Sequence, residues 1–448
     1  MVLTKTKKVW KMKKYAALLI GIFAFAYYTV LSAKEWSWLF VSSDSGDWLI
    51  CANQWFTPQA YGSPLYILLA RLIGFFTDGN VTVIAMTILL SCLPSAITVM
   101  LVYLIVHKLT SKVIPAIISS LVLLGAGVFL SQSTILEEYA LVIMFLTLAY
   151  LFYIDDKREL TALCLGLGIA VHMFVLPIAS FWFILEYKHW KLWLKPTTIF
   201  VLIGVVFYSL IPVLMWVQNT LSIVGLWTYW TGESGAVVGT LSIFDTPTRL
   251  LSLASMLLMS LGLALIPLWF GIKRPYDTKK LVLAMMVLVS LWYHLTSLDP
   301  ASWTFLNFGI PATIILIGIG LSKLSLKHAY VVATGALLLI CVNGVFLNAN
   351  TLTRENPIAT TYYQELMSLS DDSVIVATGA YGFGVLYVMS EVDKNFILLA
   401  IEEQAWHALS EGKKVYYAGP PNKVPMFKML DIPGYIMIHR IERLTLND

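Results

Sequence analysis

The chain has 448 residues, of which 58% are hydrophobic and 12% charged, and its formal net charge at pH 7 is +4. Soluble domains carry about 25% charged residues, so this composition excludes an ordinary soluble enzyme and indicates a membrane protein. The four cysteines are scattered and form no CxxC pair, so neither a zinc site nor a disulfide framework is implied.

Long apolar runs recur along the first three quarters of the chain. A bilayer core about 30 Å thick needs about 20 apolar residues per helix. On this basis we predict eleven membrane spans, at residues 15–33, 80–106, 113–131, 135–154, 159–173, 175–187, 197–216, 249–270, 280–297, 303–322 and 328–347. The fifth and sixth are short and are separated by a break near His172 and Pro177. That break predicts a hairpin that does not fully cross the membrane, or that lines a cavity.

Charge in the connecting segments predicts the orientation. Lys and Arg are retained on the cytoplasmic side, and basic clusters at residues 5–14, 188–195 and 273–280 alternate with acidic loops. We therefore expect a multi-pass protein of the cell membrane with a cytoplasmic N-terminus and an extracytoplasmic C-terminus. A cleaved signal peptide is disfavoured, because the first apolar stretch is longer than the 7–15 residues typical of a signal sequence.

Two domains are expected. Residues 1–348 form a polytopic α-helical membrane module, in which residues 34–79 are the first outer loop. Residues 349–448 form a small extracytoplasmic α/β domain, because strand-like segments at 373–378, 396–401, 414–419 and 435–442 alternate with helix-like ones. The glycines of GAYGFG at 379–384 are spaced in the reverse order of the dinucleotide fingerprint, so we expect the tail to bind an acceptor rather than a nucleotide.

The first outer loop contains two acids, Asp44 and Asp47, immediately before an apolar segment. On one helical turn they would share a face, although Ser-Asp-Ser-Gly-Asp is also good helix-capping chemistry. The following segments, WLICANQWF and SPLYILLARLIGFF, are apolar and aromatic enough to lie at the membrane interface as short helices.

Further polar residues are expected on the same side of the membrane. Glu137 and Glu138 begin the fourth span, and an acid near the bilayer centre costs roughly 2.5–3.5 kcal/mol, so a polar cavity is expected there. His172 is predicted to reach the same surface, although a lone histidine on an apolar helix is more often a hydrogen-bonded core residue. His294 flanks the last outer loop, where a capped turn around Asp299-Pro300 is an adequate structural explanation.

Three classes of function are compatible with these features. A transporter would place ionisable groups near the midplane and contain internal repeats, which this sequence does not show. A docking protein with an outer tail needs no acids beside the membrane. An enzyme acting on a lipid-linked substrate at the outer leaflet accounts best for the acids.

Three motifs carry a family resemblance. DSGDWLICANQW followed by YGSPLYILLARL, LEEYAL at 136–141 and GLGIAVHMFVLP at 166–177 resemble, in order and spacing, the motifs of GT-C membrane glycosyltransferases related to protein O-mannosyltransferases. The resemblance covers about the first 190 residues. Asp47 stands where that family usually has Glu, and Val171 where it often has Asn.

The resemblance implies transfer of a sugar, mannose as the first choice, from a polyprenyl-phosphate donor to an acceptor hydroxyl of a protein or glycolipid at the outer face. Asp44 would be the general base, and Asp47 and Glu137, together with Glu138, would orient the acceptor or the base. The phosphate would be held by cations, for which Arg71 and Arg249 are the outer-loop arginines. The remaining substrate-binding candidates are Glu138, Tyr139, His172 and His294.

Some assignments stay open. Arg71 is equally explained as an interfacial anchor, and Arg249 is better explained structurally. No cofactor is implied with certainty, and a divalent metal held by the acids is left open. Residues 218–248 are Gly-rich and aromatic, and form either a lid over the cavity or a plain connector.

Overall fold

A computed structural model describes residues 2–33, 48–49, 51–52, 63–77, 79–217, 246–273, 277–296, 305–352, 373–377, 397–399, 414–419 and 440–443. They fall into two compact units. One comprises residues 1–33, 59–68 and 87–349, and the other residues 34–58, 69–86 and 350–448. Each unit is described by itself.

The described part of the chain before residue 353 is helical. The helices are α1 Val2–Ser32, α2 Pro64–Phe76, α3 Gly79–Met86, α4 Leu93–Thr110, α5 Val113–Gly125, α6 Gly127–Ser133, α7 Tyr139–Ile154, α8 Arg158–Val171, α9 Val175–Leu185, α10 Trp190–Tyr208, α11 Leu210–Val217, α12 Thr246–Leu261, α13 Leu265–Ile272, α14 Thr278–Thr296, α15 Ile310–Leu321 and α16 Leu326–Leu352. A π-helical segment, Thr87–Cys92, joins α3 to α4, and 3₁₀ turns lie at Tyr187–His189, Gly262–Ala264 and Phe305–Gly309.

Each of the eleven predicted spans coincides with a helix or a pair of helices. Among the described residues, six helices are long and apolar enough to cross a membrane, or seven if the bent pair α5–α6 counts as one span. The helices at Tyr139–Ile154, Val175–Leu185 and Leu306–Leu321 are apolar but shorter. A multi-pass membrane protein is therefore confirmed, while the count of eleven crossings and the orientation of the termini stay predictions.

The bend between α5 and α6 is held by side chains of neighbouring helices. The two helices meet at 64°, with Ala126 between them in an extended conformation. The Asn343 amide donates to the Gly125 carbonyl at 2.6 Å, and the Ser260 hydroxyl accepts the Val128 N–H at 3.1 Å. Broken helices are tolerated at membrane depth only where other protein groups satisfy the freed backbone, and these side chains do so.

Helices α13 and α15 approach each other closely through glycines. A Cβ on Gly320 would overlap the carbonyl oxygen of Pro267, and one on Gly271 would overlap that of Leu316. Small residues let helix backbones pack tightly where lipid removes the hydrophobic drive for association. All residues of α15 from Ile310 to Leu321 are buried, so other parts of the protein cover this helix on every side.

Four short strands are described in the C-terminal region: β1 Ser373–Ala377, β2 Ile397–Leu399, β3 Lys414–Gly419 and β4 Arg440–Arg443. They form one sheet in the order β2-β1-β3-β4. β1 pairs in parallel with β2 and β3, and β3 pairs antiparallel with β4. The strands lie close to where the sequence predicts them. The helices expected between them fall outside the described residues, so the α/β domain itself stays a prediction.

Candidate active site

The candidate site lies where several helices of the first unit begin or end. The turn after α6 leads into Glu137, Glu138 and the start of α7. The predicted break between the fifth and sixth spans is confirmed: α8 ends at Val171, and His172 has an extended backbone, φ −156° and ψ 127°. Breaks of this kind place polar side chains and free backbone groups at one end of a helical bundle.

Glu138 and His172 form the polar centre of the site. His172 Nε2 lies 3.6 Å from Glu138 Oε1, and both residues are buried, with 8% and 2% of their surface exposed. The backbone N–H of Phe174 donates to His172 Nδ1 at 3.2 Å. A neutral imidazole whose Nδ1 accepts a hydrogen bond carries its proton on Nε2. The ring therefore presents an N–H donor towards the Glu138 carboxylate.

Aromatic rings surround this pair. Tyr139 lies 5.4 Å from the His172 ring and 5.9 Å from Phe308, centroid to centroid. Phe174 lies 4.5 Å from His172 and stacks on Tyr293 at 4.6 Å. Ligand sites are mostly lined by apolar and aromatic side chains with a few placed polar groups, and this arrangement has that character.

The position of Phe308 depends on polar contacts made by its neighbours. Ser290 Oγ donates to the Leu306 carbonyl at 3.0 Å and accepts the Gly309 N–H at 3.0 Å. Asn307, which is fully buried, donates to the Val128 carbonyl at 3.1 Å. The 3₁₀ turn is thus tied to α14 on one side and to α6 on the other, which holds the Phe308 ring beside His172.

Glu137 is buried next to this centre, with 6% of its surface exposed. Ser91, in the π-helical segment, donates to the Glu137 backbone carbonyl at 3.5 Å. π-Helical segments are rare and frequent at functional sites, because the extra residue in the turn shifts side chains out of regular register. Here the segment contacts the backbone that carries both adjacent glutamates.

Arg249 and His294 are buried on α12 and α14. Arg249 is 7% exposed and donates through Nη1 to the Leu295 carbonyl at 3.3 Å. His294 has no exposed surface and follows Tyr293, the residue that stacks on Phe174. Successive side chains of a helix diverge by roughly 100°, so sequence adjacency alone does not direct His294 to the same ring. The Arg249 contact at the end of α14 agrees with a structural role for this residue.

Arg71 lies in the second unit. Its Nη1 donates to the Ala52 carbonyl at 2.8 Å, and a Cβ on Gly74 would overlap the same carbonyl oxygen. Residues 48–49 and 51–52 are helical, and Pro64–Phe76 is a helix, so the second predicted short helix of the first outer loop is present. The first lies largely outside the described residues, and Arg71 and Gly74 of the second contact its residue Ala52.

Asp44 and Asp47 lie outside the described residues, as do Asp299 and most of the predicted lid. Within the ranges that the structure does describe, no group of three or more His, Cys, Asp or Glu side chains is placed to hold a metal ion.

Sequence reasoning missed the aromatic residues of the site. Phe174, Tyr293 and Phe308 carry no signal that separates them from other aromatics of an apolar chain. Of these three, only Phe308 had a signal in the sequence, because it follows the polar residue Asn307 after the last outer loop. Their importance depends on which helices pack together, and no local pattern contains that information.

The chain is a helical membrane protein with broken spans and a buried carboxylate–imidazole pair at one end of the bundle. Comparison with known proteins supports the GT-C type of membrane glycosyltransferases as its class. Residues 44–194 match the family model described as the protein O-mannosyl-transferase TMEM260 N-terminal domain. This segment holds all three motifs, so the family resemblance seen in the sequence is confirmed.

The fold is also that of a solved structure. The chain is similar to ArnT from Cupriavidus metallidurans bound to undecaprenyl phosphate, with a TM-score of 0.67 and 10% identity, over 90% of this chain and 92% of that one. The apo state of the same protein gives a TM-score of 0.63 at 11% identity, over 91% of this chain and 93% of that one. No curated protein matches the chain in sequence.

Proposed function

We propose that this glycosyltransferase moves a sugar from a polyprenyl-phosphate donor to an acceptor hydroxyl at the extracytoplasmic face, with mannose as the first sugar to test. The observation that carries the proposal is the buried Glu138–His172 pair, 3.6 Å apart, inside the segment that matches a protein O-mannosyl-transferase domain. The related fold of ArnT was solved with undecaprenyl phosphate bound, which supports a lipid-phosphate donor.

The candidate residues can supply the two roles that sugar transfer needs, a base for the acceptor and groups that stabilise the leaving phosphate. The acceptor hydroxyl loses its proton as it attacks the anomeric carbon, and Asp44 is the proposed base. The bond from that carbon to the phosphate oxygen breaks, and charge develops on the leaving phosphate. An N–H donor and fixed cations stabilise such charge. His172 Nε2–H and Arg71 are proposed for this role, and Arg249 and His294 are weaker candidates.

The glutamates are proposed to set the protonation of this site. Glu138 faces the protonated nitrogen of His172 and so holds the ring in the tautomer that donates from Nε2. Glu137 and Asp47 orient the acceptor or the base, and Tyr139 contributes its ring beside His172. The acceptor is proposed to be a Ser or Thr of an exported protein, with a glycolipid as the second choice.

The test is transfer by the purified full-length protein. Radiolabelled polyprenyl-phosphate sugars are incubated with Ser/Thr peptides or glycolipids, comparing wild type with Asp44→Asn, and with Glu159→Gln as a control carboxylate that is exposed and pairs with Lys195. We expect Asp44→Asn to lose at least about 10²-fold in transfer. Undiminished transfer in Asp44→Asn would remove it as the base.

Two other functions have distinct outcomes. A transporter would take up solute into proteoliposomes without transferring sugar. A docking protein would retain its cellular role when residues 350–448 alone are presented at the membrane surface. Either result, with no transfer by the full chain, would replace the enzymatic proposal.

A further inference from the structure

An apolar cavity opens at the end of the bundle opposite to the candidate site along α5 and α15. It has a volume of about 390 Å³, and its lining includes Val113 at the start of α5, Leu321 at the end of α15, and Leu326 and Ala329 at the start of α16. The polar side chain in its lining is Lys112. A cavity of this composition favours a hydrocarbon chain over water.

One lysine lines the cavity, and two more lie in the adjoining chain segment. Lys112 donates to the backbone carbonyl of Ser322, and Lys323 donates to the carbonyl of Phe270 at 2.7 Å. The first contact holds an ammonium group in the lining of the cavity, and the second lies in the turn between α15 and α16. Lys327 follows in the first turn of α16 and is exposed. The chain segments next to the cavity therefore carry several positive charges.

Few acids oppose these charges. The sequence has no Asp or Glu between Lys108 and Leu136, or between Leu306 and Asn350. Partial burial, together with the charges of Lys280 and Lys273, lowers the pKa of the Lys323 ammonium. Asp277, in the same loop as Lys273, accepts the backbone N–H of Lys280 at 2.8 Å and so caps α14. Positive charge at this end of the bundle is in excess.

Two helices also begin at this cavity. The first residues of α5 and α16 line it, and helix N-termini favour anions through their free N–H groups and dipole. The two helix starts therefore add to the attraction that the lysines exert on an anion.

We propose that this cavity is a binding site for an anionic phospholipid. One acyl chain occupies the space between α5, α15 and α16, and the phosphate lies at Lys112, with Lys323 adding positive charge from the adjoining turn. Basic pockets between membrane helices on the cytoplasmic side bind acidic lipid headgroups, and this end of the bundle is the one predicted to be cytoplasmic. The site is independent of the proposed transfer reaction.

The experiment titrates the purified full-length protein in neutral detergent with phosphatidylglycerol, with phosphatidylcholine of the same chain length, or with inorganic phosphate alone. Native mass spectrometry counts bound lipid, and thermal unfolding reports stabilisation. We expect phosphatidylglycerol to bind and stabilise, and phosphatidylcholine to do so at least tenfold more weakly. Lys112→Gln/Lys323→Gln should weaken phosphatidylglycerol binding about tenfold or more.

Two further variants separate the parts of the proposal. Lys188→Gln/Lys191→Gln removes the same charge from exposed positions elsewhere in the chain, and should bind phosphatidylglycerol as wild type does. Val113→Trp fills the mouth from a position that is 42% exposed, keeps every lysine, and should also weaken binding.

Three results would overturn the proposal. Equal binding of the two lipids would show apolar filling without recognition of charge. Full stabilisation by inorganic phosphate alone would show an anion site that needs no lipid. Unchanged binding in Val113→Trp would place the lipid on the charged surface and outside the cavity.

Discussion

His172 Nε2 and Glu138 Oε1 face each other across 3.6 Å, although 34 positions of sequence separate the two residues. The backbone N–H of Phe174 donates a hydrogen bond to Nδ1 of the imidazole, which leaves Nε2 as the donor. A buried carboxylate beside a ring nitrogen of assigned protonation is a constellation that can hold or pass a proton. The predictions below start from this pair.

Removing either partner should reduce sugar transfer. His172→Ala deletes the Nε2–H donor, and Glu138→Gln deletes the charge that favours it. We expect each to lower kcat by about 10²-fold, as for loss of one stabilising donor at a reacting centre. The measurement is steady-state transfer with kcat and KM separated. Glu159→Gln is the control, and wild-type kcat in both site variants would contradict a role for the pair.

The bend between α5 and α6 should depend on Ser260. Ser260→Ala leaves the buried Val128 N–H without its acceptor, and an unsatisfied buried donor costs about 1–3 kcal/mol. Ser255→Ala, on the same helix, removes an exposed hydroxyl that donates to the Ser252 carbonyl one turn earlier. Thermal unfolding in detergent should show a lower midpoint for Ser260→Ala and little change for Ser255→Ala. Equal midpoints would show that the contact is dispensable.

The close packing of α13 and α15 should not tolerate a methyl group. Gly320→Ala and Gly271→Ala each place a Cβ on a carbonyl oxygen of the facing helix, and overpacking costs about 1–3 kcal/mol or more. Gly204→Ala is the matched control, because its Cβ would have its nearest neighbour at 3.9 Å. Folded yield and unfolding midpoint should fall for the first two variants and hold or rise for the third.

The anchoring of the first outer loop gives a fourth prediction. Gly74→Ala pushes against the Ala52 carbonyl that Arg71 binds, so it should shift the loop segment and lower transfer without any change of charge. Arg71→Ala should lower transfer further and raise the KM for the lipid-phosphate donor, because it also removes a cation. Equal effects on KM in the two variants would assign Arg71 to anchoring alone.

Most of the helices and their limits could be predicted from the sequence. Apolar runs interrupted by Pro, Gly and charged residues predict the eleven segments, including the break at His172, because an unpaired backbone group is costly in lipid and restricts each run to a helix. The strands of the tail were predicted from strand-like segments that alternate with helix-like ones. How many helices cross, and which end faces out, depend on the membrane and stay predictions.

Only part of the candidate active site could be predicted from the sequence. Glu137, Glu138, Tyr139 and His172 were identified by motif, and the described structure places Glu138, Tyr139 and His172 together in one cluster. Arg249 was expected to be structural, and its contact with the Leu295 carbonyl agrees. For Asp44 and Asp47, the first-loop motif remains the ground for their proposed roles.

What the sequence by itself determined is the membrane class, the helical segments and the motifs of the family, since each follows from local composition and spacing. Only the tertiary structure decided which rings surround His172, which side chains satisfy the broken α5–α6 backbone, and which helices form the apolar cavity beside Lys112. These depend on contacts between residues far apart in the chain. Apolar helices of similar composition carry no local mark of which neighbours they will pack against.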